Sequence, residues 1–241
     1  MTTTDRDPKI ESLISSFQEL VETFYRIATI APKIEALGRN AKTAIARTVE
    51  QGWFFGWHGS LEDVMVLVDQ INGCDHDGID DLMASYYRRE ISGMVASLLK
   101  KYPDRMGPIQ AAAFAHEQIA DHGYWLSVPV FLAQADGILS ELSKNAKALK
   151  SPRKLFADQI SRSEDTRDLL HALHALQTSW LLASPDARRA MEANGKRPII
   201  DLNRHVVAHG LTSDYGSEVH SLKAFSFLAY VGLHIPLVVK G

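Results

Sequence analysis

The chain has 241 residues, with 26 Lys and Arg against 29 Asp and Glu, which gives a formal net charge of -3. Proteins that coat long nucleic acids non-specifically carry a clear positive excess, so this balance excludes a broad basic coat but not a local basic site. The single cysteine, Cys74, excludes an internal disulfide framework and a four-cysteine zinc site.

The sequence predicts neither a signal peptide nor a membrane span. The start, MTTTDRDPKIESL, lacks a basic stretch followed by an apolar run, so we expect no signal peptide. The longest apolar stretches are too short or too interrupted to span a bilayer. We therefore expect a soluble, cytoplasmic protein with no membrane contact.

The dominant pattern along the chain is helical. Apolar residues recur at spacings of three and four, beginning with a stripe over residues 10–30, whereas the alternation typical of strands is scarce. We predict an all-α fold, a multi-helix bundle. The predicted helices are 10–30, 40–52, 60–71, 79–101, 109–122, 125–149, 165–182 and 217–234.

The best candidate for a domain boundary is the loop that Pro103 and Pro108 bracket. Residues 1–108 hold 12 basic and 16 acidic side chains, and residues 109–241 hold 14 and 13. We predict an N-terminal helical region over 1–108 and a second domain over 109–241. The second domain is less acidic and is therefore the expected place for an anionic partner.

The densest polar cluster lies at residues 201–210, DLNRHVVAHG. Apolar neighbours predict a short, largely buried helix with Gly210 as its C-cap. On that helix His205 and His209 stack four residues apart, while Arg204 diverges from His209 around the axis.

Three interpretations of this cluster stay open. The histidines and the arginine can be structural, satisfied by Asp201, Asn203, Asp214 or backbone carbonyls. The His-x3-His spacing also suits two zinc ligands, but Val206 stands where a zincin has glutamate, and only His220 or Asp214 is at hand as a third ligand. The third interpretation is acid–base chemistry on a phosphodiester, with arginine offsetting charge on the phosphorane.

The pattern Arg204-His205-x3-His209 resembles the R-x4-to-6-H signature of the HEPN superfamily, in the form with a polar residue directly after the arginine. Residues 109–149 are similar to the helix pair that opens HEPN domains. The segment 203–230 resembles the C-terminal portion of bacterial abortive-infection HEPN proteins. The resemblance covers about 109–240 and leaves the first hundred residues unaccounted for.

The resemblance implies a metal-independent endoribonuclease that needs no cofactor. His209 would be the general base or acid, Arg204 would bind the scissile phosphate, and His205 would complete the site. It further implies a homodimer with a composite site, RNA as substrate, a role in antiphage defence or a toxin system, and an antitoxin or regulatory protein as a possible partner. The alternatives are a non-catalytic module that binds RNA, nucleotide or protein and, more distantly, a metal-dependent hydrolase.

Other residues are candidates for supporting roles. Gln134 and Asp136 interrupt an apolar helix, and an acidic residue there is similar to the family pattern. Asp136 can orient a motif histidine, pair with Arg204 or simply face solvent. We add Asn203 as a supporting residue. RNA-binding candidates are Tyr215, which can stack on a base or pack against a helix cap, and a basic run that can equally be a solvated helix end. The run consists of Lys144, Lys147, Lys150, Arg153 and Lys154.

Overall fold

The computed structural model describes residues 40–56, 61–119, 121–143, 174–176, 178–194 and 202–240. The chain divides into two compact units, Met1–Ala41 and Lys42–Gly241, and only residues 40 and 41 of the first are described. The regular structure in the described ranges is helical, with no strand among them. The predicted all-α class is therefore confirmed.

Apart from two short helices over 185–193 and 235–240, which the sequence did not predict, the described helices follow the predicted order. They are α1 (40–50), α2 (Leu61–Gly73), α3 (Gly78–Lys101), α4 (Met106–Gln118), α5 (Asp121–Leu142), α6 (Pro185–Ala193), α7 (Arg204–Ala208), α8 (Glu218–Ala229) and α9 (Ile235–Lys240). A 3-10 turn, Pro103–Arg105, precedes α4, and a π-helical turn, Tyr230–His234, joins α8 to α9. The predicted helix over 10–30 lies outside the described residues.

Helices α4 and α5 form a close antiparallel pair. A Cβ atom on Gly123 would lie 1.7 Å from the backbone oxygen of Ala115, so only glycine permits this approach. The sequence predicted that one helix ends at 122 and the next begins at 125, but α4 ends at Gln118 and α5 begins at Asp121. Residues 108 and 109, where the sequence suggested a domain boundary, both lie inside α4.

The core is built around α8, whose residues 221–229 are all buried. Phe225 of α8 contacts Phe131 of α5, with ring centroids 5.3 Å apart, and Tyr87 of α3, at 6.2 Å. Helices from both sides of position 108 therefore share one core.

The aromatic segment after α1 is part of this core. Trp53 and Phe54 are fully buried, and Phe54 packs against Phe227 and Tyr230 with centroids 5.1 and 5.5 Å apart. Its backbone N–H donates to Ser226 Oγ at 3.1 Å. These residues therefore pack in the interior, against α8 and the turn that follows it.

A polar contact ties α3 to α8 beside these rings. Lys223, only 3% exposed, places its Nζ 2.9 Å from Asp80 Oδ1, and Trp53 Nε1 donates to the same oxygen at 2.7 Å. Burying an ammonium group costs roughly several kcal/mol unless a carboxylate compensates its charge. Asp80 supplies that compensation and fixes the register of the two helices.

Candidate functional site

The motif helix α7 begins at a side chain that serves the fold. Asn203 is 2% exposed, and its Oδ1 accepts from the backbone N–H of His205 at 3.0 Å and of Val206 at 3.1 Å. Its Nδ2 donates to the carbonyls of Trp180, at 2.7 Å, and Ala183, at 3.1 Å. The amide is fully used as an N-cap and as an anchor to the preceding turn, so Asn203 supports the site by holding α7 in place.

The motif helix is short, as predicted, but it is not largely buried, since Val207 is its one buried residue. It spans only Arg204–Ala208, with His209 as its C-cap, and Gly210 has φ +64° in the left-handed region. Glycine adopts this conformation without the penalty that a Cβ atom brings, which is why a helix commonly ends before it. The predicted C-terminal role of Gly210 is confirmed.

Arg204 is anchored to helix α5. Its Nη1 donates to Asp136 Oδ2 at 2.5 Å, and its backbone N–H donates to Leu181 O at 2.8 Å. The side chains of Arg204 and Asp136 are 23% and 37% exposed, so the pair lies at the surface of the bundle. Of the three roles considered for Asp136, the structure selects pairing with Arg204.

The guanidinium of Arg204 is only partly satisfied. Its Nε is buried and has no hydrogen-bond partner among the described residues. Its Nη2 makes no bond to them either, but it is not one of the buried, unpartnered atoms, so it keeps contact with solvent. Arginine presents five N–H donors, and this arrangement leaves the outer ones available to a ligand.

The two motif histidines lie side by side. The ring centroids of His205 and His209 are 4.3 Å apart, with a 58° angle between the ring planes. His205 is half-buried, and His209 is exposed at the end of α7. The two histidines are therefore neighbours at four-residue spacing, as predicted, with their rings tilted against each other, and the more accessible ring is that of His209.

A small pocket lies beside Arg204, between α5 and α7. Its volume is about 130 Å³. The lining residues are Pro129, Leu132, Ala133, Asp136, Arg204, Val207 and Ala208. Arg204 and Asp136 are its only charged residues, and neither motif histidine lines it. Within one chain, therefore, Arg204 faces this pocket while the rings of His205 and His209 pair with each other outside its lining.

Gln134 does not belong to this site. Its Oε1 accepts from Arg105 Nη1 at 2.9 Å, beside a separate polar pocket on another side of α5. Residues that lie two positions apart in a helix are separated by about 200° around its axis. Gln134 and Asp136 therefore face different sides of α5. The prediction that Gln134 supports the motif is therefore corrected, since Gln134 bonds to Arg105 instead.

Tyr215 packs against a neighbouring ring. Its ring centroid lies 5.0 Å from that of Trp125 on α5, and Gly216 leaves room for that indole, since a Cβ there would be 2.0 Å from Trp125 Cε2. Of the two roles considered for Tyr215, the structure shows packing, with Trp125 as the partner. Ser217 follows as the N-cap of α8, with its hydroxyl accepting from the His220 N–H at 3.2 Å.

Several predicted residues lie outside the described ranges. They are Lys144, Lys147, Lys150, Arg153, Lys154 and Asp201. The RNA-binding role of the basic run stays a prediction. Within the described ranges, no three His, Cys, Asp or Glu side chains are grouped so as to hold a metal ion. No helix of the described ranges has the length and apolar character needed to cross a bilayer.

The chain was compared with protein-family models, curated proteins and solved structures, and nothing matched it.

Sequence reasoning missed the apolar walls of the pocket. Leu132 and Asp136 are four apart on α5, and Val207 follows Arg204 by three on α7, so each helix presents one apolar and one charged residue on the same side. That shared spacing is the only sequence signal for the pocket, and it acquires meaning once the two helices are known to pack together.

Proposed function

We propose that this chain is a metal-independent endoribonuclease of the HEPN type, with Arg204, His205 and His209 as its catalytic residues. The observation that carries the proposal is that α7 holds a fixed arginine at its start and an exposed histidine at its end. Arg204 is held by Asp136 with donors to spare, and an exposed His209 ends the same helix beside His205. A fixed cation and an accessible histidine are the two groups that phosphodiester cleavage requires.

In the proposed reaction, the ribose 2′-oxygen attacks the adjacent phosphorus as the bond from phosphorus to O5′ breaks. The products are a 2′,3′-cyclic phosphate and a 5′-hydroxyl. His209 takes the proton of the 2′-hydroxyl or gives one to O5′. The outer N–H groups of Arg204 offset the charge on the phosphorane, and His205 positions the substrate or completes the proton transfer.

A purely structural role would predict that the polar groups of the motif are buried and internally bonded. His209 is instead exposed, and the outer nitrogen Nη2 of Arg204 has no partner among the described residues. Both properties favour a site that meets a ligand.

We also propose that the enzyme acts as a homodimer with a composite site. Arg204 faces the pocket on α5 and His209 does not line it, which suits a site completed by a second copy. Leu126 of α5 and Leu211 just after the motif are 55% and 69% exposed, which gives the same region apolar surface for contact. From the resemblance alone follow a cytoplasmic role in bacterial antiphage defence or a toxin system, and an antitoxin or regulatory partner.

The test is cleavage of transfer RNA by purified protein in excess chelator. We expect cleavage by the wild type, and loss of it in Arg204→Ala and His209→Ala with helical content unchanged. Arg189→Ala and His122→Ala are matched controls, since both residues are exposed and lie outside the motif, and both variants should retain activity. Activity that disappears in chelator and returns with zinc would support the metal-dependent alternative instead.

A non-catalytic binding module is the second candidate. The observation in its favour is the pairing of Arg204 with Asp136 beside an apolar pocket, because that pairing offsets part of the charge offered to a phosphate. This candidate predicts that wild-type protein binds RNA or nucleotide and leaves the RNA intact, in cells infected by phage as well as in the purified system.

A further inference from the structure

The pocket beside Arg204 has a size and lining that suit one particular kind of chemical group. We infer that it is the subsite for a single pyrimidine base of the substrate RNA, and we call it the base pocket. The inference rests on the proposed function, because that function makes RNA the ligand.

The volume of the base pocket matches that of a single ring. The pocket measures about 130 Å³. An apolar cavity of roughly 150 Å³ in another protein binds a single benzene molecule. A six-membered pyrimidine ring is of this size, whereas the fused rings of a purine would extend out of the pocket.

The walls of the base pocket suit the faces of a flat ring. Helix α5 contributes Pro129, Leu132 and Ala133, and helix α7 contributes Val207 and Ala208. All five side chains are apolar. Ligand sites of this kind bury the apolar faces of a ring and add a few polar groups that fix its orientation.

The polar edge of the base pocket offers one acceptor and one donor. Asp136 accepts from Arg204 through Oδ2, and its Oδ1 receives no hydrogen bond from the described residues. Arg204 Nη2 likewise makes no bond to them. Uracil presents N3–H between two carbonyls, and cytosine presents its amine next to ring acceptors. Either pyrimidine can therefore donate to Asp136 and accept from Arg204.

The base pocket also predicts where the base lies relative to the cleaved bond. Arg204 lines the pocket and is the proposed ligand of the scissile phosphate. A single guanidinium reaches both groups only if the base belongs to a nucleotide that flanks that phosphate. The expected result is a pyrimidine preference at one of the two positions next to the cut.

The test uses a variant that fills the base pocket. Ala133 is exposed and lines it, so Ala133→Phe places a ring in the space. Ala111→Phe is the matched control, because Ala111 is also exposed but lies on α4 away from the pocket. Two readouts are needed: calorimetric binding of CMP, UMP, AMP and GMP, and sequencing of cleavage positions in a random-sequence RNA.

We expect CMP and UMP to bind about tenfold more tightly than the purine nucleotides, and cleavage to favour a pyrimidine at one flanking position. Ala133→Phe should abolish both preferences, and Ala111→Phe should retain them. Ala208→Phe, which fills the pocket from α7, serves as a second variant if Ala133→Phe does not fold.

The outcomes distinguish failure of the base-pocket inference from failure of the nuclease proposal. RNA cleavage without a pyrimidine preference, or a preference that survives both filled variants, would overturn the base pocket and leave the nuclease proposal standing. Pyrimidine binding that the filled variants abolish, without any RNA cleavage, would support the base pocket and count against the nuclease. Absence of both would overturn both.

Discussion

The guanidinium of Arg204 and the carboxylate of Asp136 form an ion pair that joins α7 to α5 across 68 positions of sequence. The pair fixes one end of the guanidinium, and the left-handed Gly210 ends the helix that carries it. The orientation of the motif arginine therefore depends on a residue that lies 68 positions before it in the chain.

Replacing Asp136 by asparagine should lower RNA cleavage without unfolding the protein. The amide keeps the shape of the side chain but removes the charge that holds Arg204, and a misplaced catalytic group costs up to about a hundredfold in rate. The expected change is a roughly tenfold or larger fall in kcat. Because the pair is partly exposed, the free energy of unfolding should change by less than about 1 kcal/mol.

The matched control for that variant is Glu141→Gln. Glu141 is also on α5 and also pairs with an arginine, Arg105, but at the separate polar pocket. Its cleavage rate should equal that of the wild type. Equal loss in Glu141→Gln and Asp136→Asn would show that the effect comes from general destabilisation of α5.

Asn203 should matter for stability through two separable contributions. Asn203→Ala removes the N-cap of α7, worth about 1 kcal/mol, and leaves two buried carbonyls without a donor, worth about 1–3 kcal/mol more. Asn203→Ser keeps a capping oxygen and loses only the two donations. Urea unfolding should therefore rank the free energies as wild type above Asn203→Ser above Asn203→Ala. Identical values for all three would contradict the capping role.

A buried histidine away from the motif should make stability depend on pH. His116 is 7% exposed, and its Nδ1 lies 2.8 Å from Ser221 Oγ. Burial lowers the pKa of His116 below its ordinary value of 6.5, against the opposing charges of Glu218 and Glu117. The unfolded chain binds the proton more readily, so the contribution of His116 is complete above pH 6.5 and is lost as pH falls below it.

The measurement is the free energy of unfolding of wild type and His116→Gln between pH 5 and pH 8. The wild type should lose stability on the acid side, and the variant should show a shallower dependence. His122→Gln, which replaces an exposed histidine, should keep the wild-type slope. Glu218 also titrates, but the Arg88 guanidinium bonded to it lowers the pKa of that carboxyl below 4.5. The loss of stability that Glu218 causes on protonation therefore occurs at a more acidic pH than that of His116.

Mixing two inactive variants tests the composite site. If Arg204 of one copy works with His209 of the other, a heterodimer of Arg204→Ala and His209→Ala contains one intact site. Random exchange then restores about a quarter of wild-type activity, since half of the dimers are mixed and each has one working site of two. No recovery after confirmed subunit exchange would contradict a site shared in this way.

The sequence predicted helices well because apolar spacing reports directly on burial in a bundle. The spacing of Leu132, Asp136 and Leu139 along α5, at positions i, i+4 and i+7, is a local pattern. The proximity of His205 and His209 on one side of α7 is a local pattern too. Pairing between Asp136 and Arg204 was one of several options, because it depends on how α5 and α7 pack. Gln134 and Tyr215 were misjudged or left open for the same reason: their partners, Arg105 and Trp125, come from other elements.

The central claim is that Arg204 and His209 cut RNA, and the most direct measurement is sequencing of RNA ends in cells that express wild type or His209→Ala. Wild-type cells should accumulate RNA fragments whose 3′ ends carry a 2′,3′-cyclic phosphate and whose 5′ ends carry a hydroxyl, and His209→Ala cells should lack them. Identical RNA ends in the two strains, with the wild type expressed, folded and challenged by phage, would contradict the account.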